Sequence, residues 1–212
     1  MNDVERKNHW ENIYQTKQLN EVSWYQPTPQ TSLNFFKELT IDKTANIIDI
    51  GGGDSFLVDN LLQQGYQNIT VLDIALHAIE RAKKRLGSLA AKVKWIETDI
   101  INFKPTEKYD FWHDRAAFHF LTSANDINAY IQIAQESINP NGIMVIGTFS
   151  NDGPLKCSGI NIQQYSAQSL SALFSHSFTT IQSFTTNHLT PFNTQQNFLF
   201  CSFRKLSSAI NK

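Results

Sequence analysis

The chain has 212 residues, a formal charge of −1 with histidines neutral, and only two cysteines, Cys157 and Cys201. A charge balance this close to zero implies no basic surface for nucleic acid. Two isolated cysteines give neither a disulfide framework nor metal-ligand spacing, and no apolar run approaches membrane length. The length suits a single α/β domain over residues 1–212 with its own core, and a polar, charged amino terminus without a signal peptide implies a cytoplasmic protein.

In chain order, residues 5–17 read as an amphipathic helix with His9-Trp10 and Ile13-Tyr14 as its stripe. Val22-Ser-Trp-Tyr-Gln-Pro27 follows, and Thr28-Pro29 opens a second helix through Phe35, Phe36 and Leu39. Residues 1–40 thus form a helical leader rich in aromatics. Either they cover an edge of the sheet, or their ring faces close over a cation.

The next stretch organises the rest. Asn46-Ile-Ile-Asp-Ile50 reads as a buried strand that runs into Gly51-Gly52-Gly53, and a helix follows with Leu57, Val58, Leu61 and Leu62 on one face and Gly65 as its stop. Ile69-Thr-Val-Leu-Asp73 is a second strand ending in an acid. Strand, glycine turn, helix, strand and terminal acid make half of a nucleotide-binding crossover. Gly51 and Gly53 let backbone approach a ligand closely, and Asp73, with Ile74 beside it, is placed to accept two hydrogen bonds from a ribose diol. The third glycine of a dinucleotide fingerprint is replaced by Phe56, no Gly-Lys-Ser/Thr follows, and Asp49 and Asp54 are poor neighbours for a pyrophosphate. S-adenosylmethionine (SAM), adenosine at one end and a cationic, zwitterionic tail at the other, fits better.

The run Asp49-Ile-Gly-Gly-Gly53 resembles the nucleotide loop of class I SAM-dependent methyltransferases, with Asp73 at the position of their ribose acid. The leader, His9-Trp-Glu-Asn-Ile-Tyr14 and Val22-Ser-Trp-Tyr25, is similar to that of enzymes that methylate lysines of a translation elongation factor, and more loosely to thiopurine methyltransferases. The resemblance implies that Trp10, Tyr14 and Trp24 touch SAM. It also implies a Rossmann-like fold: a seven-stranded, mostly parallel sheet with one reversed strand and helices on both faces.

After a helix whose apolar face is Ala75, Ile79, Ala82 and Leu86, the basic run Arg81-Ala-Lys-Lys-Arg85 reads as its solvated face. Lys92 to Ile101 reads as a third strand, and Asp99-Ile100 resembles the family's adenine clamp: a carboxylate for the exocyclic amine and an amide for a ring nitrogen. Tyr109-Asp-Phe-Trp-His-Asp-Arg-Ala-Ala-Phe-His-Phe-Leu121 begins as a fourth strand and carries polar groups to the ligand end of the sheet. Asp114 and His119 are the candidate proton acceptors there, and Arg115 suits an acidic substrate group. The segment is similar to a bacterial methyltransferase group carrying His-Asp-Arg-Ala-x-Phe-His-Phe-Leu; the Lys-Gly of the elongation-factor enzymes is absent.

A helix from Asp126 to Ile138, a turn at Asn139–Gly142 and a buried strand from Ile143 to Phe149 follow. Residues 151–159 read as a lid at that strand's ligand end. The helix from Ser166 to Phe174 precedes a hairpin of Phe178–Thr186 and Asn197–Arg204, with Tyr165 and His188 as candidates to face an acceptor. The chain therefore reads as a SAM-dependent methyltransferase, with S-adenosyl-L-homocysteine (SAH) as product, acting on a protein lysine or a small molecule. The alternative from another class is a non-catalytic SAM-binding sensor or scaffold. Neither nucleic acid nor membrane is an expected partner, and no metal is.

Overall fold

The computed structural model describes residues 1–207. Helix α1 (Asp3–Thr16) starts ahead of the expected position because Asn2 and Glu5 close a reciprocal capping box, each side chain accepting from the other's backbone N–H. Helix α2 (Gln30–Glu38) follows Pro29. The alternating part then runs β1 (Asn46–Ile50), α3 (Leu57–Gln63), β2 (Asn68–Asp73), α4 (Leu76–Leu86), β3 (Val93–Glu97), β4 (Tyr109–Arg115), α5 (Ala124–Ser137) and β5 (Ile138–Phe149). A small hairpin of two-residue strands, β6 (Lys156–Cys157) with β7 (Ile160–Asn161), follows β5, and then come α6 (Ala167–Phe174), β8 (Phe178–Leu189) and β9 (Gln195–Lys205).

Two strands differ from the sequence reading. Strand β3 stops at Glu97, not Ile101, because the Asp99 carboxylate accepts from Ile101 N–H and caps a single tight turn over Ile100–Asn102. Strand β5 begins earlier, at Ile138 opposite Tyr109; pairing then slips so that Phe111 faces Ile143, and Asn139–Gly142 is the irregularity.

The sheet order is β3-β2-β1-β4-β5-β9-β8. Strands β1 to β5 pair in parallel, and β9 is antiparallel to both of its neighbours, the one reversed strand. Side chains alternate between faces. Ile48, Trp112, Met144 and Ile146 pack under α5 and α6 with Tyr130, Leu170 and Phe174. Ile47, Phe111 and Val145 pack on the other face with Phe35, Phe36, Leu57 and Leu61 of α2 and α3.

The leader is fastened to the ligand end of this sheet by polar contacts. Glu11 accepts from Leu76 N–H at 2.8 Å and His77 N–H at 3.1 Å, capping α4 from outside. Arg81 donates to the carbonyls of Tyr14 at 3.0 Å and Lys17 at 2.8 Å. The basic run of α4 is thus not a solvated face. Arg81 and Arg85 both reach Asp54 in the glycine turn, at 3.0 and 2.9 Å, Arg85 also holds Asp59 at 2.9 Å, and of the run only Lys84 is exposed. Buried Asp54 needs those cations, and the helix register supplies them one turn apart.

Candidate functional site

The glycine turn sits at the carboxyl end of β1. Gly51 has φ +66°, and a Cβ there would lie 2.8 Å from that of Ala117, in the segment after β4. At Gly53 a Cβ would lie 2.7 Å from an oxygen of Asp73. The turn is a compact cradle with its own N–H groups already used. Gly51 and Gly52 both donate to Leu72 O, at 2.8 and 3.3 Å, and Gly53 donates to Asp73 Oδ2 at 2.9 Å. Anion-binding turns leave such donors free. This one offers close approach but no phosphate nest.

Beside it lies a cleft with about 740 Å³ of open space, part of it continuous with solvent. Trp10, Tyr14 and Trp24 of the leader, Gly51, Asp73, Ile74, Asp99, Ile100 and Arg115 all line it. The three leader aromatics form a cluster with Phe120, Trp10 lying 5.9 Å from Trp24 and 4.8 Å from Phe120 between ring centres. Asp73 accepts from Gly53 and, through Oδ1, from Ala75 N–H at 2.8 Å, and burial pushes its carboxyl up to about 7. Asp99 is also raised by burial, against the opposing pull of Arg6, whose Nε lies 2.7 Å from Asp99 Oδ2.

On β4 the pleat separates the polar residues that the sequence groups together. His113 and Arg115 point to the leader side, while Asp114 points the other way. Arg115 Nη1 donates to Trp24 O at 3.1 Å, and its Nη2 is buried with no hydrogen-bond partner among the described residues. Burial lowers the guanidinium to about 10, which leaves it cationic at neutral pH. Asp114 is fully buried and accepts from Ala117 N–H, Phe118 N–H and Tyr130 O–H at 3.0, 3.1 and 2.8 Å. It does not line the cleft; burial raises it to about 6, and its oxygens fix the turn after β4.

His119 is likewise enclosed. Its Nδ1 accepts from Phe149 N–H at 3.3 Å, and burial, with Arg115 nearby, drops its pKa to about 3, a poor starting point for a base. Tyr165 is buried against Phe118, ring centres 5.4 Å apart, outside the cleft. His188 joins β8 to the leader, with Nε2 2.6 Å from Ser23 O and Nδ1 3.1 Å from the Gln26 amide. Gly53 stands behind the turn, holding Asp73.

A second cavity, about 570 Å³ and also open to solvent, lies across the glycine turn and shares Tyr14, Trp24, Gly51 and Arg115 with the cleft. Ser32, Asp49 and His113 line it, Asp114 does not, and Cys157 of β6 lines the cleft. Sequence reasoning takes Asp49 only as the start of the glycine-loop run and His113 only as one of the polar groups at the ligand end of the sheet, and it assigns no role to Ser32 or Cys157. The alternation of β4 could have paired His113 with Arg115. Nothing local marks Ser32 or Cys157.

The residues present fit SAM. A turn without free N–H groups suits a ligand without phosphates, carboxylates end or follow β2 and β3 where an adenosine would lie, and aromatic faces flank the turn. Asp49 Oδ2, buried with no hydrogen-bond partner among the described residues, is a negative oxygen suited to the ammonium of a zwitterionic tail.

Comparison with known proteins agrees. The model of a family described as "Methyltransferase domain" matches residues 41–197. The chain is similar to a malonyl-[acyl-carrier protein] O-methyltransferase of Anoxybacillus flavithermus, 34% identical over 107 residues, which are 50% of this chain and 39% of that protein. The chain therefore spans about two fifths of that relative. Its fold resembles the N-methyltransferase NodS from Bradyrhizobium japonicum WM9 in complex with SAH, with TM-score 0.67, 18% identity and coverage of 84% of this chain and 86% of that one. It also resembles a structure from work on conversion of a disulfide bond into a thioacetal group during echinomycin biosynthesis, with TM-score 0.78, 18% identity and coverage of 97% and 96%.

Proposed function

The chain belongs to the methyltransferase-domain family, a class of SAM-dependent enzymes, and from that premise we propose that it methylates a neutral or anionic small molecule. One observation carries the choice of acceptor. Arg115 is a half-buried cation lining both cavities, with a buried Nη2 that has no hydrogen-bond partner and no ion pair among the described residues. A lysine ammonium entering beside it would meet like charge in a poorly screened site, whereas a carboxylate, phenolate or carbonyl would satisfy it. The relative from Anoxybacillus, named for an O-methyltransferase activity, is consistent with an acceptor other than lysine.

SAM supplies a methyl group on a sulfonium, already activated for in-line displacement. The residues that would hold it are Asp73, Ile74, Asp99 and Ile100 at the adenosine end, Gly51 in the turn, with Gly53 behind it fixing Asp73, and Trp10, Tyr14 and Trp24 beside the cation. The protein's part is to hold the acceptor and exclude water, a proximity effect of several kcal/mol, on the order of 7–11 in well-aligned cases. No proton transfer is assigned to Asp114 or His119, since neither lines the cleft or the second cavity and Asp114 already accepts from Ala117 N–H, Phe118 N–H and Tyr130 O–H.

The test supplies methyl-labelled SAM and the protein to a dialysed host extract and, separately, to the host's small-molecule fraction. Label in a discrete small molecule, lost with Arg115→Met, supports the reading. Label in a protein band sinks the small-molecule acceptor. Label in neither, with SAH binding intact, makes the chain a cofactor-binding module.

A further inference from the structure

Residues 157–203 contain none of the chain's 18 Lys and Arg or 19 Asp and Glu residues, although charged residues make up 17% of the sequence. This uncharged stretch builds one end of the sheet, with α6, β8 and nearly all of β9. Strand β8 stands last in the sheet order, and among the described residues nothing pairs with its outer edge. Sheets guard such an edge with charges, proline, bulges or brevity, because its unpaired N–H and C=O groups accept any strand that arrives. β8 runs twelve residues without a charge or a proline. One bulge interrupts it, at Ile181 between Thr180 and Gln182, and leaves residues 182–189 regular. The opposite edge, β3, is five residues long and carries Lys94 and Glu97, held by Glu107 at 2.5 Å and Lys7 at 2.6 Å. One edge of the sheet is guarded and the other is open.

The side chains along β8 match an edge that is half covered. Phe184 stacks on Phe35 and Phe200, with ring centres 5.9 Å from each, yet stays 39% exposed, as does Ile181. Charge depletion around part-exposed aromatic side chains marks the core of an interface. Symmetry narrows the choice of partner. A strand that meets its own copy about a two-fold axis normal to the sheet pairs antiparallel, and the rotation keeps each face of the sheet on its own side. Residues opposite each other must then share a face, and faces alternate along a strand, so their numbers differ by an even number. The axis therefore passes beside a residue that faces itself. In the regular run the central residues are Thr185 and Thr186, and Thr–Thr is a favourable cross-strand pair. Any charge near the axis would meet its like, and β8 carries none. A foreign strand imposes no such neutrality, because it can bring the opposite charge.

We propose that the outer edge of β8 pairs with β8 of a second copy of this chain, joining two seven-stranded sheets into one across a two-fold axis beside Thr185 or Thr186. The assembly closes at two copies, since the edge left at each end is the charged β3. No residue of β8 lines the cleft or the second cavity, so both stay open in the pair.

The experiment is sedimentation equilibrium on the full chain at concentrations from about 1 to about 100 μM. The wild-type mass should approach twice the 24.2 kDa of one chain as concentration rises. Thr185→Lys, at an exposed position, sets two ammonium groups near each other across the axis and should weaken association by about tenfold or more. Thr185→Glu should do the same alone, and the two variants mixed in equal amounts should pair with each other and restore the dimer. Wild-type chain that stays monomeric at the highest concentration overturns the proposal. So does a dimer that Thr185→Lys leaves intact, or a loss of association that the mixture does not repair. Circular dichroism checks that each variant is folded, and if Thr185→Lys is not, Ser183→Lys and Ser183→Glu, also at an exposed position, carry the same comparison.

Discussion

Arg6 Nε lies 2.7 Å from Asp99 Oδ2 and joins the second turn of the leader helix to the acid beyond the third strand. The same guanidinium holds Asp126 of α5 and Asp3, each at 3.2 Å, and its side chain is 10% exposed. Arg6→Met would leave Asp99 buried without its cation. The folded state should lose about 2–4 kcal/mol, the cost of orphaning a largely buried charge with some solvent relief. Because Arg6 and Asp99 both line the cleft, SAH affinity should fall as well. Thermal melting with and without SAH checks both. Adding Asp99→Asn should return much of the stability, since no buried charge is then left unpaired, while affinity stays low.

Asp73 gives the protein a pH signature with two opposite arms. Its folded value of about 7 stands above the ordinary carboxylate value, so between roughly pH 4 and 7 the folded state binds a proton that the unfolded chain does not. The stability linked to this group is fully present below about pH 4 and is lost as pH rises through about 7. Asp114, raised to about 6, adds to the same slope. Ribose binding has the opposite sense, because an ionised carboxylate accepts from a diol and a protonated one spends an oxygen donating. SAH affinity should therefore rise between pH 5.5 and 8, by a factor approaching about ten per unit below pH 7. Asp73→Asn should weaken SAH and flatten that rise. A wild-type affinity independent of pH over this range would show that Asp73 is not at the ligand.

Much of the frame is legible in the sequence because it is periodic and local. Asn46–Gly53 and Ile69–Asp73 declare strand, turn and acid in one short window, and the leader aromatics do line the cleft. What misleads is reading a cluster by composition. His113, Asp114 and Arg115 look like one polar group in sequence, yet the two-residue period of β4 sends the middle one to the opposite face. Arg81 and Arg85 look solvated because their partner, Asp54, is about thirty residues away. Ser32 and His113 are 81 positions apart, and no local pattern could join them.

Asp114 therefore has a different expected phenotype from that of a general base. Asp114→Asn keeps an oxygen for Ala117 and Phe118 N–H groups but presents an N–H₂ to Tyr130 O–H, which already accepts from Trp112 Nε1 at 2.9 Å. One buried hydrogen bond is lost. The expected cost is about 1–2 kcal/mol, or a melting temperature lower by about 2–8 °C. SAH affinity and turnover per folded molecule should stay within about twofold. A drop in turnover of a hundredfold at unchanged stability would restore Asp114 to the chemistry.

Two glycines with positive φ separate strain from function. Gly65, at φ +85°, ends α3 in open space, with nothing within 4 Å of where a Cβ would stand, so Gly65→Ala meets only backbone strain of about 1–2 kcal/mol. Gly51, at φ +66°, meets the same strain and also the Ala117 Cβ at 2.8 Å, well inside contact distance. The Ala117 segment is held by Asp114 through two N–H groups, on Ala117 and Phe118, and cannot give way cheaply. Gly51→Ala should therefore push the glycine turn off the segment after β4, at the boundary shared by both cavities. Its melting temperature should fall further than that of Gly65→Ala, and its SAH affinity should drop by tenfold or more, on the order of 1.4 kcal/mol. Gly65→Ala should bind SAH like the wild type. Equal SAH binding by the two variants would mean that the turn tolerates a methyl group, and that close backbone approach at Gly51 is not what the ligand requires.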